Sequence, residues 1–226
     1  MASGLFVSGT DTGVGKTRAS CALLETLRAR GLRATGMKPV ASGCDTTPEG
    51  LRNDDALALI ASSDPRPDYA LCNPFALPDA IAPHLAAKAA GVEIVAAPIL
   101  EAYKRLAAST DRIVVEGVGG WAVPLSESTM QADLVRALRL PVILVVGLRL
   151  GCLNHALLTM HAIREDGCDL IGWIANRIDP KMAAADANLE TLKARIDAPL
   201  IGVLEHAPDA KPAQYAHALL PAIARL

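Results

Sequence analysis

The stretch "GTDTGVGKT", Gly9 to Thr17, follows the apolar run "LFVS" and passes straight into a helical pattern, and this junction restricts the fold more than any other feature of the chain. Gly13 and Gly15 allow backbone N–H groups to curl around an anion, and the start of the helix that follows favours negative charge there. Lys16 is placed to reach the β and γ phosphates of a nucleotide, and the Thr17 hydroxyl to ligate Mg²⁺. An ordinary glycine-rich turn would not need Gly-Lys-Thr at its end. The loop therefore predicts a phosphate site, of the P-loop kind, after the first strand of an α/β fold.

The rest of the chain agrees with that opening. Short runs, apolar on both faces, recur at 5–8, 34–40, 112–117, 141–147, 170–176 and 199–204, as expected of strands buried on both sides of a parallel sheet. Between them, "KTRASCALLETLRARG" puts Ala19, Leu23, Leu24 and Leu27 on one helical face and ends at Gly31, a residue suited to a helix C-terminus. Further helices are expected near 54–62, 98–109, 131–139, 154–166 and 183–196, with a closing helix in "KPAQYAHALLPAIARL". The alternation predicts one doubly wound α/β domain over residues 1–226, with a mostly parallel sheet flanked by helices. Ligands in such folds gather at the carboxyl ends of strands. Loops are expected at 41–50, 64–83 and 117–124, and the proline-rich "SSDPRPDYALCNPFALPDAIAPH" reads as an excursion over the active-site face.

Composition narrows the function. Of 226 residues, 51% are hydrophobic and 20% charged, the formal net charge is −2, and aromatics are only 3%. Neither a basic stripe nor a stacking platform for nucleic acid is present. The longest strongly apolar run, "LPVILVVGL", is too short for a membrane span, which needs about 20 residues. Cys21, Cys44, Cys72, Cys152 and Cys168 form no C-x-x-C pair, and the five histidines lack zinc-ligand spacing. Reduced thiols, with no secretory pattern at the N-terminus, predict a cytoplasmic protein.

Three more places bear on chemistry. "IVVEGVGG" puts Glu116 at the end of an apolar strand, where a second metal ligand is needed, and Gly117 and Gly119 then allow close backbone approach. "RNDDALAL" offers Asp54 and Asp55, one suited to capping a helix and one to reaching the metal. "GMKPVASG" puts Lys38 before Pro39, which cannot extend a ladder, so Lys38 is expected to tip into the ligand crevice, with Ser42 in the turn beyond. Farther on, "GLRLGCLNHALLT" leaves the N–H groups of Gly151, Cys152, Leu153 and Asn154 free at a helix start expected near Asn154, a second anion site.

Together "GTDTGVGKT", "MKPVASG", "TPEGLRNDDALAL", "VEGVGGW", "PVILVVGLRLGCLNHALLT" and "GWIAN" resemble dethiobiotin synthetase, in order and as far as about residue 204. The loop is one residue longer than the common form, with Gly9 rather than Thr10 supplying the first glycine, and so resembles the lengthened variant of one P-loop branch. The resemblance implies joining of 7,8-diaminononanoate, CO₂ and MgATP to give dethiobiotin, ADP and phosphate. It implies that Gly13, Val14, Gly15, Lys16, Thr17 and Arg18 cradle the phosphates, with Gly117 and Gly119 beside them. Thr17, Asp55 and Glu116 would surround the metal, and Lys38 with Lys16 would be the catalytic cations. Thr12 and Ser42 would lie near the diamine. Asn176 would read the adenine edge, with Arg177, Glu205, His206 and Ala207 around the base. In the family, the turn of Gly151, Cys152, Leu153 and Asn154 receives the substrate carboxylate of the neighbouring subunit, which implies a homodimer with shared sites. Two places depart from the pattern. Asn188 stands where some relatives have a tyrosine, and "EHAPDAKP" replaces a Pro-Trp-rich segment.

Two other readings are weaker. A nucleotide-switch ATPase of the same branch would carry a lysine in place of Asp11. An amide-forming synthetase acting on corrinoids would carry an additional amidotransferase domain, for which the chain has no room.

Overall fold

The computed structural model describes residues 3–207 and 209–223. In chain order the elements are β1 (Ser3–Gly9), α1 (Lys16–Ala29), β2 (Ala34–Met37), β3 (Val40–Ser42), β4 (Asp45–Thr47), β5 (Gly50–Arg52), α2 (Asp54–Ser62), α3 (Tyr69–Cys72), β6 (Phe75–Leu77), α4 (Pro83–Ala89), α5 (Ala96–Ala107), β7 (Arg112–Glu116), α6 (Gln131–Leu138), β8 (Val142–Gly147), α7 (Cys152–Glu165), β9 (Leu170–Asn176), α8 (Ala185–Arg195), β10 (Leu200–Leu204) and α9 (Pro212–Ile223). Six strands form one sheet in the order β10-β9-β8-β1-β7-β2, and every pairing in it is parallel. From β1 the chain crosses to the β2 edge, and from β7 it crosses back over β1 to β8. The strand order thus reverses at β1, which puts the crevice of a doubly wound sheet at the loop after that strand.

Successive side chains of a strand point to opposite faces, and here both faces are covered. Phe6, Ile113, Val115, Val142, Leu144 and Val146 pack with Ile99 of α5, Leu134 of α6, Met160 of α7 and Leu192 of α8. Leu5, Val7, Val114, Ile143 and Val145 pack with Leu23 of α1, Leu59 of α2 and Leu219 of α9. Each such side chain contributes about 2 kcal/mol when fully buried. This two-sided burial is why the strand sequences are apolar throughout rather than alternating. In α1 the expected face, Ala19, Leu23, Leu24 and Leu27, is buried, and Gly31 follows the helix with a left-handed φ of 79°.

Four expectations are corrected. The run 34–40 is not one strand: β2 stops at Met37, and beyond Pro39 the chain forms β3, which pairs with β6 in a separate two-stranded sheet. The loop at 41–50 contains most of a small antiparallel ribbon of β4 and β5. The cap of α2 is Asn53, whose side chain accepts from the Ala56 N–H at 3.3 Å, so neither Asp54 nor Asp55 caps and both lie in the first turn. Helix α7 begins at Cys152, not near Asn154, with Gly151 at the left-handed cap position (φ 95°) and no side-chain cap. Gly151 can adopt that backbone without a Cβ penalty, so the helix starts as soon as the turn is complete.

Among the described residues the five cysteines are free, and all but Cys168 are buried. No helix among them is long and apolar enough to cross a membrane.

Candidate active site

A cleft of about 700 Å³ opens beyond the ends of β1, β2 and β7, lined by Thr12, Gly13, Gly15, Lys16, Thr17, Lys38, Ser42, Asp55 and Gly119 among others. Its outer wall includes Ala80, Ile81, Ala82 and Pro83, so the proline-rich excursion does run over this face. The opposite wall is the 118–124 loop after Glu116.

The phosphate loop is held from several sides. Gly15 has φ 88°, and a Cβ there would lie 2.0 Å from Asn176 Nδ2. Only glycine meets both conditions. The first helical hydrogen bond across the loop runs from Ala19 N–H to the Gly15 carbonyl at 3.1 Å, so the N–H groups of Lys16, Thr17 and Arg18 precede it and remain available for an anion. The Lys16 side chain folds back over the loop, its Nζ donating to the carbonyls of Asp11 (3.1 Å) and Gly119 (2.5 Å). Burial, with the nearby Lys38 charge adding to it, pushes the Lys16 ammonium down to about 8. The Arg18 guanidinium lies over the Tyr215 ring, 5.3 Å from its centre, so its side chain braces α9 and only its backbone faces the loop.

Below the loop lie two acids and a second ammonium. Thr17 Oγ1 is 2.6 Å from Asp55 Oδ1 and 3.0 Å from Glu116 Oε1. Lys38 Nζ donates to Asp55 Oδ2 (2.8 Å), Glu116 Oε1 (2.7 Å) and the Gly117 carbonyl (3.2 Å). Lys38 is 2% exposed and Glu116 0%. Burial opposes the Lys38 charge, but the Glu116 and Asp55 carboxylates outweigh it and hold the ammonium above the ordinary lysine range. Burial likewise opposes the Asp55 charge, and Lys38 outweighs it and holds the carboxyl below the usual range. Lys38 lines the crevice it was expected to reach, and its ammonium is bonded there to the two acids rather than standing free beside Lys16. A buried Glu116 and a partly exposed Asp55 (side chain 42% exposed) call for a cation there.

The same cluster suits a hard divalent cation. Two carboxylates and a hydroxyl converge there, and buried Glu116 Oε2 has no hydrogen-bond partner. Among the described residues no group of three or more His, Cys, Asp or Glu forms a complete cage. This fits Mg²⁺, which takes one or two carboxylates and completes its oxygen shell with phosphates and water.

On the other side of the loop, Asn176 ends β9 and is 1% exposed. Its Nδ2 donates to the Val14 carbonyl at 2.8 Å, which fixes the amide orientation and leaves Oδ1 buried without a partner. Arg177 pairs with Asp186 and with Glu205, and the Glu205 and Ala207 carbonyls both accept from Tyr215 Oη (3.4 and 2.7 Å). His206 Nδ1 lies 3.2 Å from the Arg177 carbonyl. The segment 205–207 is thus tied to β9 and α9, although its sequence departs from the family pattern. Gly151, Cys152, Leu153 and Asn154 do not line this cleft; they form the cap and first residues of α7 after β8, and the Cys152 N–H, expected to be free, donates to the Arg149 carbonyl at 3.0 Å. Asn188, where some relatives carry a tyrosine, donates its side-chain amide to the Ala184 carbonyl on its own helix.

Two residues at the site escape sequence reasoning. Arg149 pairs with Asp11, tying the phosphate loop to the β8–α7 turn, and Asp11 also accepts the Thr12 N–H at 2.7 Å. Tyr215 supports both Arg18 and the 205–207 segment. The absence of a lysine at position 11 is the signal that draws attention to the first, and nothing local marks the second.

A parallel sheet whose order reverses at a Gly-Lys-Thr loop, with a buried acid closing the neighbouring strand, defines a P-loop nucleotide-binding protein. A family model described as an AAA domain matches residues 3–214. The chain belongs to the ATP-dependent dethiobiotin synthetase family. It is 58% identical over 214 residues to ATP-dependent dethiobiotin synthetase BioD of Xanthomonas euvesicatoria pv. vesicatoria (strain 85-10), covering 95% of this chain and 96% of the relative. The BioD of Xylella fastidiosa (strain 9a5c) is 58% identical over 206 residues, 91% of each chain. Among solved structures, the septum site-determining protein MinD complexed with Mg-ADP from Pyrococcus horikoshii OT3 matches with TM-score 0.59 at 17% identity, over 99% of this chain and 96% of that one. The MinC:MinD cell division complex of Aquifex aeolicus matches with TM-score 0.62 at 15% identity, over 99% and 95%. At that identity the two share the fold.

Proposed function

We propose that this chain catalyses ATP-dependent ring closure of 7,8-diaminononanoate with CO₂, giving dethiobiotin, ADP and phosphate. The observation that carries the reading beyond family membership is the pairing of two ammoniums about one phosphate loop and cleft, Lys16 folded over the loop and Lys38 bonded to Asp55 and Glu116 beneath it. One substrate amine adds to CO₂ and loses a proton to solvent, forming a carbamate. A carbamate oxygen attacks the γ-phosphorus and ADP leaves, which yields a carbamic–phosphoric anhydride. The second amine attacks the carbonyl carbon, phosphate departs, and the proton released on closure can leave on it. Each step joins groups that repel or must be aligned, and none needs a side-chain nucleophile. Positioning and electrostatics supply the rate.

Lys16 and Lys38 would neutralise the carbamate and the γ-phosphate, drawing them together. The N–H groups of residues 13–18 would hold the phosphates, with Gly117 and Gly119 keeping the facing wall close. Mg²⁺, held by Thr17, Asp55 and Glu116, would supply Lewis-acid charge to the phosphates. Thr12 and Ser42 would flank the diamine. The unpartnered Asn176 Oδ1 would accept from the adenine amino group, beside Arg177, Glu205, His206 and Ala207. A carbonyl-edged base would leave that oxygen facing another acceptor.

The turn of Gly151, Cys152, Leu153 and Asn154 would receive the tail carboxylate of the substrate bound to a second copy, making a homodimer. The support is that the Gly151, Leu153 and Asn154 N–H groups lie outside the chain's own cleft, the Cys152 N–H being taken by the Arg149 carbonyl, and that Leu150, beside them, is 95% exposed. Free cysteines, among them Cys21 and Cys72 whose thiols burial pushes up to about 12, are compatible with a cytoplasmic location. The alternative of a switch ATPase is not favoured, because Asp11 stands in place of the switch lysine and is engaged by Arg149.

A phosphate-release assay tests the reading. Turnover of ATP should require both diaminononanoate and bicarbonate. Phosphate release that is indifferent to either one contradicts it.

A further inference from the structure

We infer that Lys38 fills the metal seat of the nucleotide-free protein, and that Mg²⁺ arriving with the nucleotide displaces its ammonium into the cleft, where it meets the reacting groups. This rests on the function proposed above for the identity of the metal ligands, and adds a step to it.

Lys38 Nζ is bonded to Asp55 and Glu116, two of the three proposed metal ligands, and the third, Thr17 Oγ1, bonds those same carboxylates. With the Gly117 carbonyl, all three ammonium donors are used. A divalent ion on these oxygens and an ammonium still bonded to them would stand a few ångströms apart with little water between, a strongly repulsive arrangement. One must leave. The lysine is the one able to: it lies along the open cleft that Ser42 and Thr12 also line, and a four-carbon chain carrying a point charge has many orientations. Lys16 cannot exchange in the same way, since its Nζ is tethered to the Asp11 and Gly119 carbonyls on the upper side of the loop.

The unpartnered Glu116 Oε2 points the same way. A buried carboxylate oxygen without a donor is costly, and the ammonium satisfies only Oε1. The lysine-filled seat is therefore incomplete, and the metal-filled one gives Glu116 a stronger partner. The arrangement neutralises the buried Glu116 and the partly exposed Asp55 when the site is empty, opposes metal binding without nucleotide, and releases the second cation when MgATP is in place.

The test is Mn²⁺ binding to the full chain without nucleotide, followed by calorimetry and by the spin resonance of the free ion. Lys38→Met should bind Mn²⁺ at least about tenfold more tightly than the wild type, the effect of removing one competing cation worth a single decade. Adding Asp55→Asn should abolish the gain. Equal affinity of wild type and Lys38→Met overturns the inference. Should Lys38→Met fold only when Mn²⁺ is supplied, that dependence itself supports exchange. Lys38→Gln, which keeps a polar group, gives a second variant with the same expected gain. The unaltered chain offers an independent readout: reductive methylation of Lys38, followed by mass spectrometry, should be slow alone and faster with Mg²⁺ and ADP, and an unchanged rate overturns the inference. If exchange fails while diamine-dependent ring closure proceeds, only this inference falls. If exchange is seen without ring closure, the proposed reaction falls and the exchange stands.

Discussion

Lys16 carries a charge that its surroundings weaken until phosphate arrives. Burial lowers it to about 8 from an ordinary 10.5, so the folded empty protein binds fewer protons than the unfolded chain between those values. The penalty on the empty fold is full below about pH 8 and relaxes as pH rises toward the unfolded value. Triphosphate reverses the shift by placing negative charge beside the ammonium. Nucleotide binding should therefore take up about half a proton at about pH 8, measured by calorimetry in buffers of different ionisation enthalpy. Uptake should fade about two units lower, and its absence near pH 8 removes the assigned environment of Lys16. At this scale the sequence is uneven. The placement of Lys16, Thr17 and Glu116 is legible because it is set by neighbours in the chain, the loop that opens α1 and the end of β7. The burial of Lys38 between Asp55 and Glu116 is not legible, since it depends on contacts 17 and 78 residues away. Likewise Arg149 meets Asp11 only through the packing of β8 beside β1.

The elements that hold the site follow two patterns, one visible in sequence and one hidden. Strands of the central sheet are legible because burial on both faces makes them apolar throughout, and the observed spans of β7, β9 and α2 fall within a residue of expectation. β3 and β6 are not legible: three residues carry no period, and the partners are separated by β4, β5, α2 and α3. The start of α7 falls two residues before Asn154 because Gly151, in the left-handed region, completes the turn without a side-chain cap. The phosphate loop combines both cases. Its glycines are plain in the sequence, but the reason Gly15 is required includes Asn176, which arrives from β9. Gly15→Ala should strain φ and drive a methyl group into the Asn176 amide, displacing the bond to Val14. We expect nucleotide binding, measured by calorimetry, to fall by tenfold or more, since about 1.4 kcal/mol of misfit suffices. Unchanged affinity would show that the close approach of β9 to the loop is not needed.

At the scale of the whole molecule, the fold is legible from the strand–helix alternation, and the doubly wound order confirms it. Assembly is not, because the surfaces that meet in an oligomer carry no internal period. The proposed homodimer places Leu150, 95% exposed, in or beside a shared site. Leu150→Asp should lower the sedimentation coefficient from dimer toward monomer and depress diamine turnover with it. A protein that is monomeric before and after the change would leave the 151–154 turn without its proposed role.

The central claim is that a CO₂-derived oxygen attacks the terminal phosphoryl group while two lysines hold both anions. Heavy-oxygen-labelled bicarbonate, supplied with diaminononanoate and unlabelled ATP, tests it most directly. The account predicts one labelled oxygen in each phosphate released, because the oxygen that bridges carbon and phosphorus leaves with phosphorus. Phosphate carrying only oxygen from water would contradict it.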